Sequence, residues 1–195
     1  MTFDDGFNNF KTVILPILEK YEIPSMIFVT TNYIDQKKLY NFVEWKKNGQ
    51  KFSTSPDINN EDLISLTSEE IMFLNSHPLV EIGAHTCSHI SLPRLPILDA
   101  KKEILESKIF LEKITKSPVK YFSFPYGEYS KELIHFVSKH FRFGFTINRG
   151  TNSKKSNTFM LRRNSIGMEK KLNNFKKNIF GIYDFIRLFD WFRNR

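Results

Sequence analysis

A single cysteine, Cys87, in 195 residues leaves no partner for an internal disulfide and excludes a metal cluster built on several thiolates. Any bound metal would then fall to histidine and carboxylate. No apolar run comes near the ~18–20 residues needed to span a bilayer. Residues 1–24 carry acids early and lack the basic start, unbroken apolar stretch and small-residue cleavage site of a signal peptide. As written, the chain reads as cytoplasmic, with a cell-envelope location left to a form extended upstream. No internal repeat divides the sequence, and no nucleic-acid-binding signature is present.

What is there is an ordinary globular composition, 41% hydrophobic and 26% charged, with 20 Phe that predict an aromatic core or apolar clefts. The length suits one domain, expected to be a monomer. The net charge of +8 lies mostly beyond Arg142. A solvated basic surface is the plain reading, and an acidic lipid or an anionic polysaccharide as neighbour the sharper one.

Helical and strand periodicities alternate along the chain. Phe10, Ile14, Ile17, Leu18 and Tyr21 recur at helical spacing, with Pro16 as a candidate kink, and SMIFVTTNYI follows as a strand. Thr67 and Glu70 form a capping-box pattern for a helix through Asn75, before the strand LVEIGAHT. A helix over 97–115, a strand KYFSFPYG, a helix over 131–139 and strands FRFGFTI and MLRRNSI complete the pattern. Such alternation predicts parallel strands with helical crossovers, an α/β sheet or barrel whose chemistry gathers at the carboxyl ends of the strands. TFDDG, HTCSH and FPYG all fall at such ends. Residues 35–66 read as a polar, irregular insertion, either a functional lid or a mobile connection.

Asp4, Asp5, His85 and His89 have the makings of a catalytic metal centre. Two imidazoles four residues apart can face one ion, and one carboxylate completes a three-ligand set that leaves a position for water. The second carboxylate can then act as general base. On this reading Asp5 is the ligand and Asp4 the base. Each piece alone is weak, since HxxxH is often two surface histidines and DDG a turn or a helix start; their agreement on one face carries the argument. In FPYG, Gly127 permits an unusual backbone angle, so Tyr126 can offer its ring and its backbone N–H to a developing oxyanion. Cys87, between the histidines, reads as a small filler rather than an extra ligand or a redox-sensitive thiol.

In order and interval, TFDDG, HTCSH and FSFPYG resemble the first three motifs of the polysaccharide deacetylase family, carbohydrate esterase family 4, over residues 2 to about 166. The resemblance implies a distorted (β/α) barrel. It implies metal-dependent hydrolysis of acetyl groups, N-acetyl above all, with an acetylated amino-sugar polysaccharide or glycan precursor as partner. By the same resemblance Asp4 is the base, Asp5, His85 and His89 hold a divalent metal, and Tyr126 stabilises the oxyanion. Zinc comes first as that metal, with cobalt and nickel as alternatives. Phe124, Pro125, Tyr126 and Gly127, with Arg149 and Arg163, form the expected substrate-binding set.

The departures are specific. Many members carry Arg where this chain has Ser123, and Arg149, Arg162 or Arg163 is expected to take its place. The family's late Leu-x-His element supplies a general acid, yet the strand here reads LRRNSI and no histidine is assigned. Only Met1 precedes TFDDG, so the first barrel strand is expected to be missing and the chain to be shortened at its start. Residues 1–170 are read as the deacetylase-like domain. Residues 171–195 are read as a basic amphipathic helix, with Leu172, Phe175, Ile179, Ile182, Ile186 and Phe189 on one face, that packs on the barrel or touches a membrane surface. Two alternatives stand beside the deacetylase: a catalytically impaired carbohydrate-binding remnant of the fold, and a metal-dependent amidase for a non-sugar C–N bond.

Overall fold

Short apolar segments separated by helices place five parallel strands in chain order in the computed structural model, which describes residues 1–36 and 63–165. They are β1 (Thr2–Phe3), β2 (Ser25–Val29), β3 (Val80–Ala84), β4 (Tyr121–Ser123) and β5 (Phe143–Phe145). Sequential order with every pair parallel is the winding of a (β/α) barrel, each strand returning through a crossover on the same side. The crossovers hold a π-helical turn (Phe10–Ile14) running into α1 (Leu15–Lys20), then α2 (Ser68–Ser76), α3 (Ile97–Thr115) and α4 (Lys131–His140). Most of the 35–66 insertion and all of the 171–195 segment lie outside the described residues. No helix among the described residues is long and apolar enough to cross a membrane.

The local signals in the sequence explain these elements. Thr67 accepts the Glu70 N–H and Glu70 accepts the Thr67 N–H, the predicted capping box of α2. Pro16 falls at the start of α1, directly after the wider π turn Phe10–Ile14 whose last bond is the Leu15 N–H to the Phe10 carbonyl. The first strand, expected to be missing, is reduced to Thr2 and Phe3, which pair with Met26 and Ile27.

The segment MLRRNSI, expected to be a strand, makes one parallel bridge, Leu161 to Phe145. Leu161 donates its N–H to the Gly144 carbonyl at 2.8 Å and accepts the Thr146 N–H at 2.9 Å. The next carbonyl along, that of Thr146, accepts the Arg163 Nε–H at 2.8 Å, and the Arg163 N–H passes to the Asn148 carbonyl at 2.9 Å, so the ladder stops.

Period-two alternation gives the sheet two unlike faces. Phe3, Ile27, Val29, Ile82, Ala84 and Phe122 face the helices and join Leu18, Leu74, Ile104, Leu111 and Val137 in one core. On the concave face, the Phe28 and Phe145 rings lie 5.1 Å apart and Tyr121 stacks on Phe143 at 6.0 Å. Gly83 sits across from Phe28, where a Cβ would come within 2.5 Å of the ring. The same alternation carries Thr2, Asp4, His85 and Ser123 to the upper edge of this concave face.

Candidate active site

Each chemical group leaves the carboxyl end of a strand on a tight loop. After β1 the chain turns at once, with Asp5 and Gly6 both left-handed at φ 77° and 81°. A Cβ at residue 6 would lie 2.9 Å from Val29 Cγ1, so the turn needs glycine for space as well as for angle. After β3, the His85 N–H bonds the Val29 carbonyl at 3.0 Å. Thr86 and His89, at φ 67° and 56°, then fold the loop back until the two imidazole rings are 4.9 Å apart. The Thr86 hydroxyl accepts the His89 N–H at 3.1 Å.

This folding brings the predicted ligands together. Asp5 Oδ1 lies 3.5 Å from His85 Nε2 and 3.1 Å from His89 Nε2, and one ligand atom from each residue falls within 4.8 Å of the others. A tetrahedral ion with bonds of ~2.1 Å separates its donors by roughly 3.4 Å, so the set fits a divalent metal. His85 is 1% exposed, and its Nδ1–H donates to the Ser123 carbonyl at 2.7 Å, which turns Nε2 toward Asp5 as the atom that could hold an ion.

Asp4 turns the other way. Arg163 grips both of its oxygens, Nη1 to Oδ1 and Nη2 to Oδ2, each at 2.7 Å. The guanidinium is held in turn by Nε to the Thr146 carbonyl at 2.8 Å and Nη2 to the Ser123 hydroxyl at 3.0 Å, above the Phe28 ring at 5.7 Å. Ser123 is fully buried, and its small side chain leaves the space that Arg163 fills. Of the three arginines named from the sequence, Arg163 is the one on Asp4; Arg149 donates to the Ser165 carbonyl at 3.4 Å, and the Arg162 backbone pairs with Asn152.

Burial pushes the Asp4 carboxyl up, but the His85 charge and the Arg163 hydrogen bonds outweigh it and hold it below the ordinary Asp value. Asp5 is held far lower, burial being overcome by hydrogen bonds from His85 and His89. Burial disfavours a charged His85, yet Asp4 and Asp5 beside it raise its pKa. Asp5 is thus held ionised against the two imidazoles, while the Asp4 charge is paired with Arg163.

Tyr126 and Gly127 continue the run of left-handed residues, at φ 57° and 65°. The Tyr126 ring stands edge-on to His89 at 4.7 Å and is half exposed, whereas Phe124 and Pro125 are buried beneath the turn. The Ser91 hydroxyl donates to Glu128, tying this turn to the histidine loop. A cavity of about 590 Å³ opens beside the ion pair, lined by Thr2, Phe3, Asp4, Ile147, Arg163 and Asn164 among others.

The remaining candidates lie elsewhere. The Cys87 thiol donates to the Glu103 carbonyl at 3.5 Å, is pushed up to about 11 by burial, and stands outside the ligand set. All five histidines are among the described residues. His77 pairs with Glu19 at 3.0 Å before β3, His140 packs on Phe136 at 4.4 Å before β5, and His135 is exposed on α4. One residue the motifs did not mark is Glu103, whose carboxylate accepts the Cys87 and Ser88 N–H groups. Its only signal is a carboxylate spaced three residues after Ala100 and four before Ser107, on the buried stripe of α3.

Comparison with known proteins bears on the family and the fold. A family model described as polysaccharide deacetylase matches residues 1–141. YxkH of Bacillus subtilis (strain 168), whose name assigns it to the polysaccharide deacetylases, is 23% identical over 164 residues, covering 84% of this chain and 49% of its own. The chain therefore spans about half the length of that relative. Among solved structures, the deacetylase PplD of Streptococcus pyogenes in complex with acetate has a TM-score of 0.70 at 21% identity, over 91% of this chain and 68% of that one. A polysaccharide deacetylase from Bacillus cereus gives 0.70 at 20% identity, over 91% and 50%. At these identities the structures speak for the fold, and the five parallel strands match their (β/α) barrel. Because the family model matches residues 1–141, well over half of the chain and all of TFDDG, HTCSH and FSFPYG, the chain belongs to the polysaccharide deacetylase family.

Proposed function

We propose that the chain is a metal-dependent hydrolase that removes acetyl groups, N-acetyl first, from amino-sugar polysaccharides or glycan precursors. The observation that carries this reading is the approach of Asp5 Oδ1 to the Nε2 atoms of both histidines, with Asp4 fixed alongside by Arg163. A divalent cation held by Asp5, His85 and His89, zinc first and cobalt or nickel next, supplies Lewis acidity toward an acetyl carbonyl and acidifies water.

The chain's own side chains do the rest. Asp4, ionised and gripped on both oxygens, is the base that takes a proton from water. Arg163 fixes its orientation and keeps it ionised. The Tyr126 backbone N–H, turned by its left-handed conformation, is the donor for the oxyanion, and its ring walls the mouth of the site. Phe124, Pro125 and Gly127 shape that turn, and the cavity beside Asp4 and Arg163 gives a sugar room to lie against the base. With every histidine placed, the proton for the leaving amine returns from Asp4 or comes through water. Residues 1–170 form the catalytic unit; Arg149 adds to a basic surface suited to an anionic glycan.

Acetate release from N-acetylglucosamine oligomers, and from O-acetylated glycans, by zinc- or cobalt-loaded protein tests this reading. Release that disappears in Asp4→Asn is expected. A folded, metal-bound protein that releases none from either substrate would point instead to a carbohydrate-binding remnant.

A further inference from the structure

The HTCSH loop supplies two of the three ligands yet contains no helix or strand of its own beyond β3. Its shape depends on two left-handed residues, Thr86 and His89, with Cys87 and Ser88 between them. We infer that Glu103 is a positioning residue for the metal centre, acting through this loop's backbone. From the second turn of α3, its Oε2 accepts the Cys87 N–H at 3.0 Å and the Ser88 N–H at 2.9 Å, and its Oε1 accepts the Ser88 hydroxyl at 2.9 Å. The Glu103 carbonyl also takes the Cys87 thiol at 3.5 Å.

Two successive backbone N–H groups aimed at one anion form a concavity, and charge-assisted bonds into it are about twice as strong as neutral ones. Fixing the Cys87–Ser88 peptide at its centre fixes the torsions on either side. That keeps His89 Nε2 at 3.1 Å from Asp5 Oδ1. The carboxylate itself stands on a rigid post, because Ala100, Ile104 and Ser107 of the same helix are fully buried. The Ser91 to Glu128 bond ties down the far end of the loop. A metal site needs such outer partners, whose loss costs about 10–100-fold in metal affinity.

The inference rests on the metal reading above, and its test separates the two. Zinc titration by calorimetry on the full chain is run for wild type, Glu103→Ala and Glu103→Gln, with the visible spectrum of bound cobalt and the Tm of each. Wild type is expected to bind one zinc, and Glu103→Ala to bind it about 10–100-fold more weakly with a shifted cobalt spectrum. Glu103→Gln, which keeps one acceptor and loses the charge, is expected to fall between. Zinc affinity and cobalt spectrum unchanged in both variants, even with a lowered Tm, overturn the inference. Wild type that binds no metal overturns the metal reading and the inference with it. If Glu103→Ala does not fold, the same two outcomes are read from Glu103→Gln.

Discussion

On the helix-covered face of the sheet, Ile27, Val29, Ile82, Ala84 and Phe122 meet Leu74, Ile104 and Leu111 in one apolar cluster, while the concave face ends in Asp4, Asp5, His85 and Arg163. The backbone differs as much as the side chains do. Of the seven non-glycine residues with positive φ among the described residues, Asp5, Thr86, His89 and Tyr126 belong to the loops above the concave face. Left-handed backbone and paired charges are unfavourable features that persist only where the surroundings over-determine them. The apolar face supplies that determination, because it holds the strands whose ends the loops leave.

The comparison predicts that chemistry and stability can be broken separately. The largest effect is expected at the proposed base, where Asp4→Asn lowers kcat/KM for acetate release by about 10²–10⁴-fold, the range of general acid–base catalysis, with a far smaller change in urea unfolding. Leu111→Ala reverses the pattern. That side chain is fully buried in the helix-facing core, so truncation is expected to lower unfolding free energy by about 2–5 kcal/mol while kcat/KM per folded molecule holds.

Arg163→Met sharpens the boundary between the two regions. Arg163 helps hold Asp4 below the ordinary Asp value, and only the ionised base works, so wild-type activity should persist to lower pH than the variant's. The acid limb of the kcat/KM profile is expected to move upward in Arg163→Met. The linked stability follows the same sign. A depressed folded pKa contributes stability above the unfolded value and loses it as pH falls through the folded value, so the variant should lose less on acidification. The smallest effect is Thr67→Ala in the α2 capping box, about 0.5–2 kcal/mol of stability, with zinc affinity unchanged.

Sequence reached these features in proportion to how local they are. The 97–115 helix, the Thr67–Glu70 box and the strand ends at TFDDG, HTCSH and FSFPYG are set by periodicity and neighbours a few residues apart, and all stand where expected. The MLRRNSI segment carried strand-like residues, but beyond Leu161 the Arg163 side chain takes the Thr146 carbonyl that the ladder would use, a contact no periodicity encodes. Arg163 was one of three arginines able to replace the missing one at residue 123. Choosing among them required a contact to Asp4 that spans 159 residues. Glu103 was invisible for a related reason, since a lone glutamate on an amphipathic helix is ordinarily a solvated one and only the fold places the histidine loop against it.

On the proposed function, Asp5, His85 and His89 hold the metal on which hydrolysis depends. A crystal structure of the zinc-loaded protein, with diffraction recorded on both sides of the zinc absorption edge, tests it most directly. One anomalous peak is expected about 2.0–2.2 Å from Asp5 Oδ1 and from the Nε2 atoms of both histidines. Zinc found elsewhere on the chain, with no peak among these three residues, would contradict it.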